Sequence, residues 1–303
     1  MNSDTKKKIK RYWSLYVLMI LPLLILIVYR YIPIILQIVT AFKDYKLMKG
    51  VWGSPWVGLD NFKSIVTLPQ FGRLIKNTVV ISVLRLSWGF WPPIILAILL
   101  FDLKSRWLKR SAQTVLYIPH FFSWVIIFAL SYSFLSNNGL VNSILHNLGM
   151  DKVNFFLSSK HFYPIVITTA IWKELGWGTI IYLAALTSID TQLFDAAKID
   201  GCGPFRRIWH ITLPGIKSVT VFLLTLSLGR ILSDAGTEQI LLFYTPAVYD
   251  VADTIGTWVY RQGLLKLDYS LGTTLQFFQS GIGLILILGV NKIAKKTTGV
   301  SIW

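Results

Sequence analysis

Long uncharged runs alternate with short, charged ones along the whole chain. Six apolar stretches stand out: Trp13–Phe42, Asn77–Phe101, Ser111–Leu135, Phe162–Thr187, Ser218–Phe243 and Ser270–Val290. A helix crosses the hydrocarbon of a bilayer with about 20 apolar residues, and only helices and closed barrels satisfy their backbone groups there. Each stretch reaches that length, so the pattern predicts an all-α, polytopic membrane protein with six transmembrane helices. The first stretch exceeds what a bilayer requires, which predicts tilt or protrusion. Its basic start, "KKKIKR", resembles a signal peptide, but the run is too long and no small-residue cleavage site follows it. It reads as a retained first span.

The connections are of two kinds. "KDYKLMKGVWGSPWVGLDNFKSIVTLPQFG" is rich in Gly, Pro and Trp. It predicts an ordered loop with a short helix near Asp60–Val66, N-capped by Asp60. "SNNGLVNSILHNLGMDKVNFF" predicts a short amphipathic helix with Leu140, Ile144 and Leu148 on one stripe. No short repeat, low-complexity segment or soluble domain interrupts the pattern, so residues 1–303 read as a single transmembrane domain.

Composition agrees. Hydrophobic residues make up 54% of the chain and charged residues 15%, against about a quarter charged in ordinary domains. The net charge of +16 raises the question of nucleic acid, yet the aromatic residues sit inside apolar runs rather than between basic ones. The charge is read instead as membrane topology and attraction to anionic lipid, with no nucleic-acid partner. Six spans place both termini on one side of the membrane. With the termini inside, the inner segments carry 16 Lys and Arg and the outer ones 10, which predicts cytoplasmic N- and C-termini. The one cysteine, Cys202, excludes an intramolecular disulfide and a cluster of thiolate ligands.

Charges inside apolar runs are costly in lipid and point to a cavity or a partner. Arg230, Asp234 and Glu238 stand four residues apart on one face of the fifth stretch, with Gly236 placed to let the helix bend. They form either a polar stripe along a transport path or a self-neutralised ladder packed against another span. Trp172, Lys173, Glu174 and Trp177 in the fourth stretch offer charge and aromatic faces suited to sugar rings; interface anchoring explains the tryptophans equally well. Arg85 either lines the path or snorkels to a headgroup, as does Arg30. His120, after Pro119, either lines a pore or hydrogen-bonds a neighbouring helix. The four histidines, His120, His146, His161 and His210, are scattered, and no metal site is expected. There is no G-x-x-x-x-G-K-[ST], so nucleotide phosphates have no cradle of that kind here.

One polar segment is too patterned for a linker: "FDAAKIDGCGPFRRIWHITLP", Phe194 to Pro214. Helix formers run to Ile199, Gly201-Cys202-Gly203 breaks them, and Pro204 suits the first position of a new helix. Phe205, Ile208, Trp209 and Thr212 then fall at i, i+3, i+4 and i+7, which predicts one apolar face, with Arg206, Arg207 and His210 elsewhere. Such an angled pair fits a groove on a soluble partner or lies flat on headgroups; pattern alone does not separate these.

"DAAKIDGCGPFRRIWHITLP" resembles the EAA loop of permease subunits of ATP-binding-cassette importers. Asp195, Ala196 and Ala197 stand at the E-A-A positions, Asp200-Gly201 at the D-G and Leu213-Pro214 at the closing L-P; Asp195 stands where the family usually has Glu. "AFKDY", "GSPWVGLDNF", "WKELGWGTIIYLAALTSID" and "EQILLFYTPAVYDVADTIGTWVYRQGL" are similar to the carbohydrate-uptake branch, in particular to permeases for complex oligosaccharides and polysaccharide fragments in Gram-positive bacteria. The resemblance implies a type I importer permease fold in the plasma membrane, with a coupling loop over about residues 190–215. It also implies that the chain is not itself an enzyme and binds no cofactor, ATP and Mg²⁺ being held by two partner ATPase subunits. Further implied partners are a second, different permease subunit, an extracellular lipid-anchored solute-binding protein and an oligosaccharide substrate. The ATPase-coupling residues would be Asp195, Ala196, Ala197, Asp200, Gly201, Phe205, Trp209, Leu213 and Pro214. Two alternatives stand: a permease of the same class for another solute, or an ion-gradient-driven secondary transporter that works without nucleotide.

Overall fold

The computed structural model describes residues 11–229 and 236–298, which are helical throughout apart from loops and an antiparallel bridge between Lys43 and Trp56. The longer helices are α1 (Trp13–Ala41), α2 (Asp60–Val66), α3 (Phe71–Gly89), α4 (Trp91–Asp102), α5 (Arg106–Tyr117), α6 (Trp124–Leu135) and α7 (Leu140–Asn147). They continue with α8 (Ser159–Thr187), α9 (Thr191–Ile199), α10 (Pro204–Gly215), α11 (Lys217–Gly229), α12 (Thr237–Phe243) and α13 (Tyr269–Thr298).

By length and composition, four helices among the described residues can cross a membrane: Trp13–Ala41, Phe71–Asp102, Trp124–Asn147 and Tyr269–Ile293. The pair Pro204–Gly215 and Lys217–Leu228, bent by 61°, makes a fifth if taken as one span. The six predicted stretches differ from this in instructive ways. The fourth lies within α8, which has 29 residues and therefore the length to cross, but carries Lys173 and Glu174 near its middle. The third is broken: α5 ends in a 3₁₀ turn over Ile118–Phe121, and α6 starts afresh at Trp124. Pro119 has no N–H to continue the ladder, and Ser123 recaps the chain by accepting from the Ile126 N–H at 3.3 Å. The fifth stretch is interrupted before α12 by Gly236, whose φ of +77° ends any right-handed helix there.

The chain forms two compact units. One comprises the chain up to Leu68 with Val259–Phe278. Here the long loop after α1 is ordered, as its composition predicts. The ammonium of buried Lys43 donates to the carbonyls of Val51 (2.8 Å) and Trp52 (3.3 Å), and Asn61 donates to those of Ala41 and Lys43. Phe42 packs against Trp56, Phe62 and Phe277 with ring centroids 5.1–6.3 Å apart. The expected helix at Asp60–Val66 is present, but Leu59 takes the cap position and Asp60 the first turn. There Asp60 faces the positive end of the helix dipole and pairs with Lys63 at 3.4 Å. Most of α1 is exposed, as suits a face turned to lipid or to another membrane chain.

The other unit comprises Pro69–Trp258 with residues from Gln279 onward, and α8 is its axis. Two packed clusters lie along it. One joins Ile81 of α3, Phe162 and Val166 of α8, and Ile240 and Phe243 of α12. The other joins Ile94, Ala97 and Leu100 of α4 to Tyr182, Leu183 and Leu186 of α8 and to Ile216. In lipid, helices gain little from burying apolar surface, so close approach through small residues has to hold them. Gly178 packs on Pro93, with an added Cβ falling 3.0 Å from its ring carbons. Gly176 lies directly against the backbone of Leu116 and Tyr117, where no Cβ fits.

The predicted stripe on α7 faces outward: Leu140, Ile144 and Leu148 are exposed, while Asn142 is fully buried. Asn142 donates to the carbonyls of Ser136 (3.0 Å) and Val153 (2.9 Å) and accepts from the Val153 N–H (2.8 Å). In a membrane setting the apolar face meets hydrocarbon and the polar one ties the loop.

The α5–α8 contact gives a direct test. Gly176→Val should force the two backbones apart and destabilise the fold by about 1–3 kcal/mol, read as a lowered thermal midpoint of the purified protein in detergent. A midpoint equal to wild type would show that the contact at Gly176 does not hold α5 to α8.

Candidate translocation cavity and coupling loop

Between the two clusters, where α8 carries Ala170 and Gly178, the helices leave a cavity of about 370 Å³. Arg85 of α3 and Glu174 and Trp177 of α8 line it, together with the hydroxyl residues Ser82, Tyr182 and Ser227.

Arg85 is held from several sides. Its guanidinium donates to Gln239 Oε1 of α12 and lies over the ring of Trp124, 6.0 Å from its centroid. It fills the space beside Gly236, where a Cβ would collide with the guanidinium. Gln239 is fully buried, and its amide group donates to Val166 O (2.9 Å) and Thr169 Oγ1 (2.7 Å) of α8. One side chain thus ties α3, α8 and α12 together. An amide suits this place because it accepts on one side and donates twice on the other.

Glu174 and Trp177 meet His120 from the 3₁₀ turn. Glu174 Oε2 is 3.3 Å from His120 Nδ1, an ion pair when the imidazole is protonated but off hydrogen-bond alignment. The imidazole lies flat on Trp177, with centroids 4.7 Å apart and planes 7° from parallel. Neither expectation for His120 is met as stated: it is not among the residues lining the cavity, and it meets α8 by stacking and an approach of charge, its Nδ1 making no hydrogen bond.

The other candidates fall elsewhere. Lys173 is buried and donates to the carbonyls of His120 (2.8 Å) and Phe122 (2.5 Å), with its ammonium 5.5 Å from the Trp124 ring centroid. It closes the break that Pro119 makes. Trp172 is half-exposed beside Phe122 and does not line the cavity. Glu238 is exposed in the first turn of α12, where its charge suits the helix dipole. Arg230 and Asp234 lie outside the described residues. Gln239, one position after Glu238, was not singled out by the sequence. Ser82 was also missed, although it precedes Arg85 by three residues and so shares its helix face.

The predicted helical pair is present. Asp190 N-caps α9 by accepting from the Gln192 N–H at 2.9 Å. At the other end, Cys202 N–H donates to Ala197 O (2.8 Å) and Gly201 N–H to Lys198 O (3.1 Å), with Gly201 at φ +68°. This is a Schellman stop, and it requires the left-handed backbone that glycine adopts without cost. Asp195 pairs with Lys198 at 2.8 Å on the exposed side, Ala196 is exposed beside it and Ala197 half-buried, and Asp200 is the C-cap. Pro204 starts α10, and Leu213-Pro214 closes it.

The predicted apolar face of α10 is split. Phe205 and Trp209 are 86% and 70% exposed, alongside Arg206 and His210, whereas Ile208 is half-buried and Thr212 buried. The cause is a π turn over Ile208–Thr212, closed by Leu213 N–H to Ile208 O. Its wider turn carries Thr212 round to the protein side, away from the i+7 position expected of a regular helix.

The model of the binding-protein-dependent transport system inner membrane component matches residues 89–290, which include α8, the coupling pair and α12. The chain belongs to this family. The polygalacturonan/rhamnogalacturonan transport system permease protein YteP of Bacillus subtilis (strain 168) is 44% identical to this permease, over 92% of its chain and 87% of YteP. Protein LplB of the same strain is 41% identical over 95% of this chain and 90% of LplB. Among solved structures, a chain from a bacterial ABC transporter involved in import of the acidic polysaccharide alginate superposes with a TM-score of 0.89. It is 38% identical, over 98% of this chain and all (100%) of that one. This permease is thus a membrane subunit of an ATP-binding-cassette importer.

Gln239→Leu should leave Val166 O and the Arg85 guanidinium poorly matched and destabilise the permease by about 1–3 kcal/mol. A double-mutant cycle with Arg85→Leu checks the linkage; additive losses would mean that the two side chains act independently.

Proposed function

We propose that this permease forms half of the translocation pathway for complex oligosaccharides handed over by an extracellular, lipid-anchored solute-binding protein. A second, different permease chain completes the path. Two ATPase subunits hold ATP and Mg²⁺; the permease binds no cofactor and catalyses no reaction. Residues 1–303 act as one transmembrane domain with six crossings, α8 supplying the fourth and the chain broken at Pro119 the third. Both termini are cytoplasmic, supported by the excess of Lys and Arg on that side. The Bacillus relatives support a Gram-positive plasma membrane.

The observation that carries this reading is the pair α9–α10, joined to α8 by three residues and presenting Phe205 and Trp209 to solvent. Large aromatic side chains held out on a short rigid helix suit insertion into a cleft on a soluble partner. Ala196 lets such a partner approach closely, and the Schellman turn at Gly201 sets the angle between the two helices. Closure of the ATPases on ATP then pushes on α9–α10 and, through α8, on the wall of the cavity. Oligosaccharide cargo is supported by YteP, a polygalacturonan/rhamnogalacturonan permease, and by a solved alginate transporter in complex with its alginate pentasaccharide-bound periplasmic protein, 37% identical with a TM-score of 0.88. The aromatic and hydroxyl lining of the cavity agrees with such cargo.

The test is uptake by the complete transporter in proteoliposomes with ATP inside. Oligosaccharide should accumulate only with ATP and the binding protein, and vanadate should stop it. Uptake driven by an ion gradient without nucleotide would overturn the reading. Gly201→Val puts a β-branched residue at positive φ, a strain of about 1–3 kcal/mol, and should abolish substrate-stimulated ATP hydrolysis while the protein still inserts. Gly203→Ala, at an extended φ of −67° with open space around it, should leave that stimulation intact.

A further inference from the structure

A dense run of cations follows α4. "KSRWLKR" places Lys104, Arg106, Lys109 and Arg110 within one short turn and the start of α5, and Asp102 is the single acid among residues 91–118. Lys104, Arg106 and Arg110 are exposed, and none of the four cations takes part in an ion pair among the described residues. Arg106 stands three and four residues before Lys109 and Arg110, so like charges share a helix face and repel, a cost that a bound anion removes. The span Phe71–Asp102 ends where this run begins, which brings it to the membrane surface. Along α5, Trp107, Leu108 and Val115 fall at i, i+1 and i+8, on one side. Trp107 is 76% and Val115 67% exposed. The other side of α5 is tied into the fold, Ala112 and Leu116 packing on the cluster between α4 and α8. An apolar stripe leading away from a basic end suits a helix that faces hydrocarbon along its length and headgroups at its tip.

One of the four cations leads inward. The Lys109 ammonium lies over the ring of Phe101, 5.9 Å from its centroid, and Phe101 packs on Phe194 of α9 with centroids 5.7 Å apart. The end of α4, the start of α5 and the first helix of the coupling pair therefore meet at one ring. A phosphodiester offers a full negative charge and oxygens that match guanidinium forks. Free phosphate would answer the cations and leave the apolar stripe bare, whereas a lipid covers both. We propose that residues 104–110 bind an anionic phospholipid, its phosphate on Lys104, Arg106 and Arg110 and its chains along Trp107, Leu108 and Val115. The bound lipid steadies Lys109 on Phe101, and through Phe194 it holds α9 where the ATPases push. That second step rests on the reading of α9–α10 as the coupling pair; the binding site does not.

The experiment places the complete transporter, with its binding protein and cargo, in nanodiscs of phosphatidylcholine containing increasing phosphatidylglycerol. Substrate-stimulated ATP hydrolysis is measured there, and phosphatidylglycerol retained on the extracted complex is read by native mass spectrometry. Wild type should retain phosphatidylglycerol, and its hydrolysis should rise several-fold with it; inorganic phosphate should not substitute. Lys104→Gln, Arg106→Gln and Arg110→Gln together should lower retention and raise the phosphatidylglycerol needed for half the rise at least about tenfold. Lys295→Gln with Lys296→Gln, which removes charge from the end of α13, should change neither. Phe101→Leu should keep the retention and lose most of the rise. Retention and lipid dependence equal to wild type in the triple variant overturn the proposal. So does hydrolysis lost in every lipid alike, which assigns the turn to the ATPases, or loss of the second permease chain, which assigns it to that chain. If the triple variant does not insert, Arg106→Gln alone decides, with a shift of about threefold expected and none overturning the site. Wild-type hydrolysis that cargo stimulates in no lipid defeats the coupling reading, and retention alone then judges the site.

Discussion

Every interruption of a membrane helix frees backbone carbonyls and N–H groups that hydrocarbon cannot satisfy. In this permease, side chains from elsewhere in the chain close the interruptions. Lys173 of α8 takes two carbonyls of the turn at Pro119, and Asn142 takes the loop between Ser136 and Val153. Asn77 of α3 donates to Asp250 O and Asp253 O, both at 3.0 Å. Lys43 and Asn61 do the same within the long loop after α1. Each of these polar side chains satisfies carbonyls that a break or a loop leaves open.

Function in the proposed reading follows from how little lies between cavity and coupling pair. The helix that carries Glu174 and Trp177 ends at Thr187, and α9 begins at Thr191. A push on α9–α10 therefore reaches the cavity wall through one continuous 29-residue helix, packed at Gly176 and Gly178 too tightly to absorb it locally. Interiors at close-packed density transmit displacement rather than damp it.

Much of this was legible in the sequence, and the rest was hidden for identifiable reasons. Apolar runs predicted the helical membrane class, and Gly201 with Pro204 predicted the angled pair, because glycine and proline act locally. Arg85, Glu174 and Trp177 were visible as polar or aromatic residues in apolar runs, and they do line one cavity. Lys173 stood beside them in sequence but turns to another face, since neighbours on a helix point about 100° apart. Gln239 and Ser82 carry no charge and gave no signal alone; their importance comes from contacts more than 70 residues away or from a cavity no pattern reveals. The face of α10 was misjudged because a π turn changes the period, and no residue type announces one.

The Schellman stop has a practical corollary. Its second bond comes from the backbone of Cys202, the single cysteine of the chain, whose side chain takes no part in it and is half-exposed. The permease thus carries a unique thiol at the hinge of its coupling pair. A fluorophore or nitroxide attached there would report the hinge's surroundings, with no other cysteine of this chain to remove first.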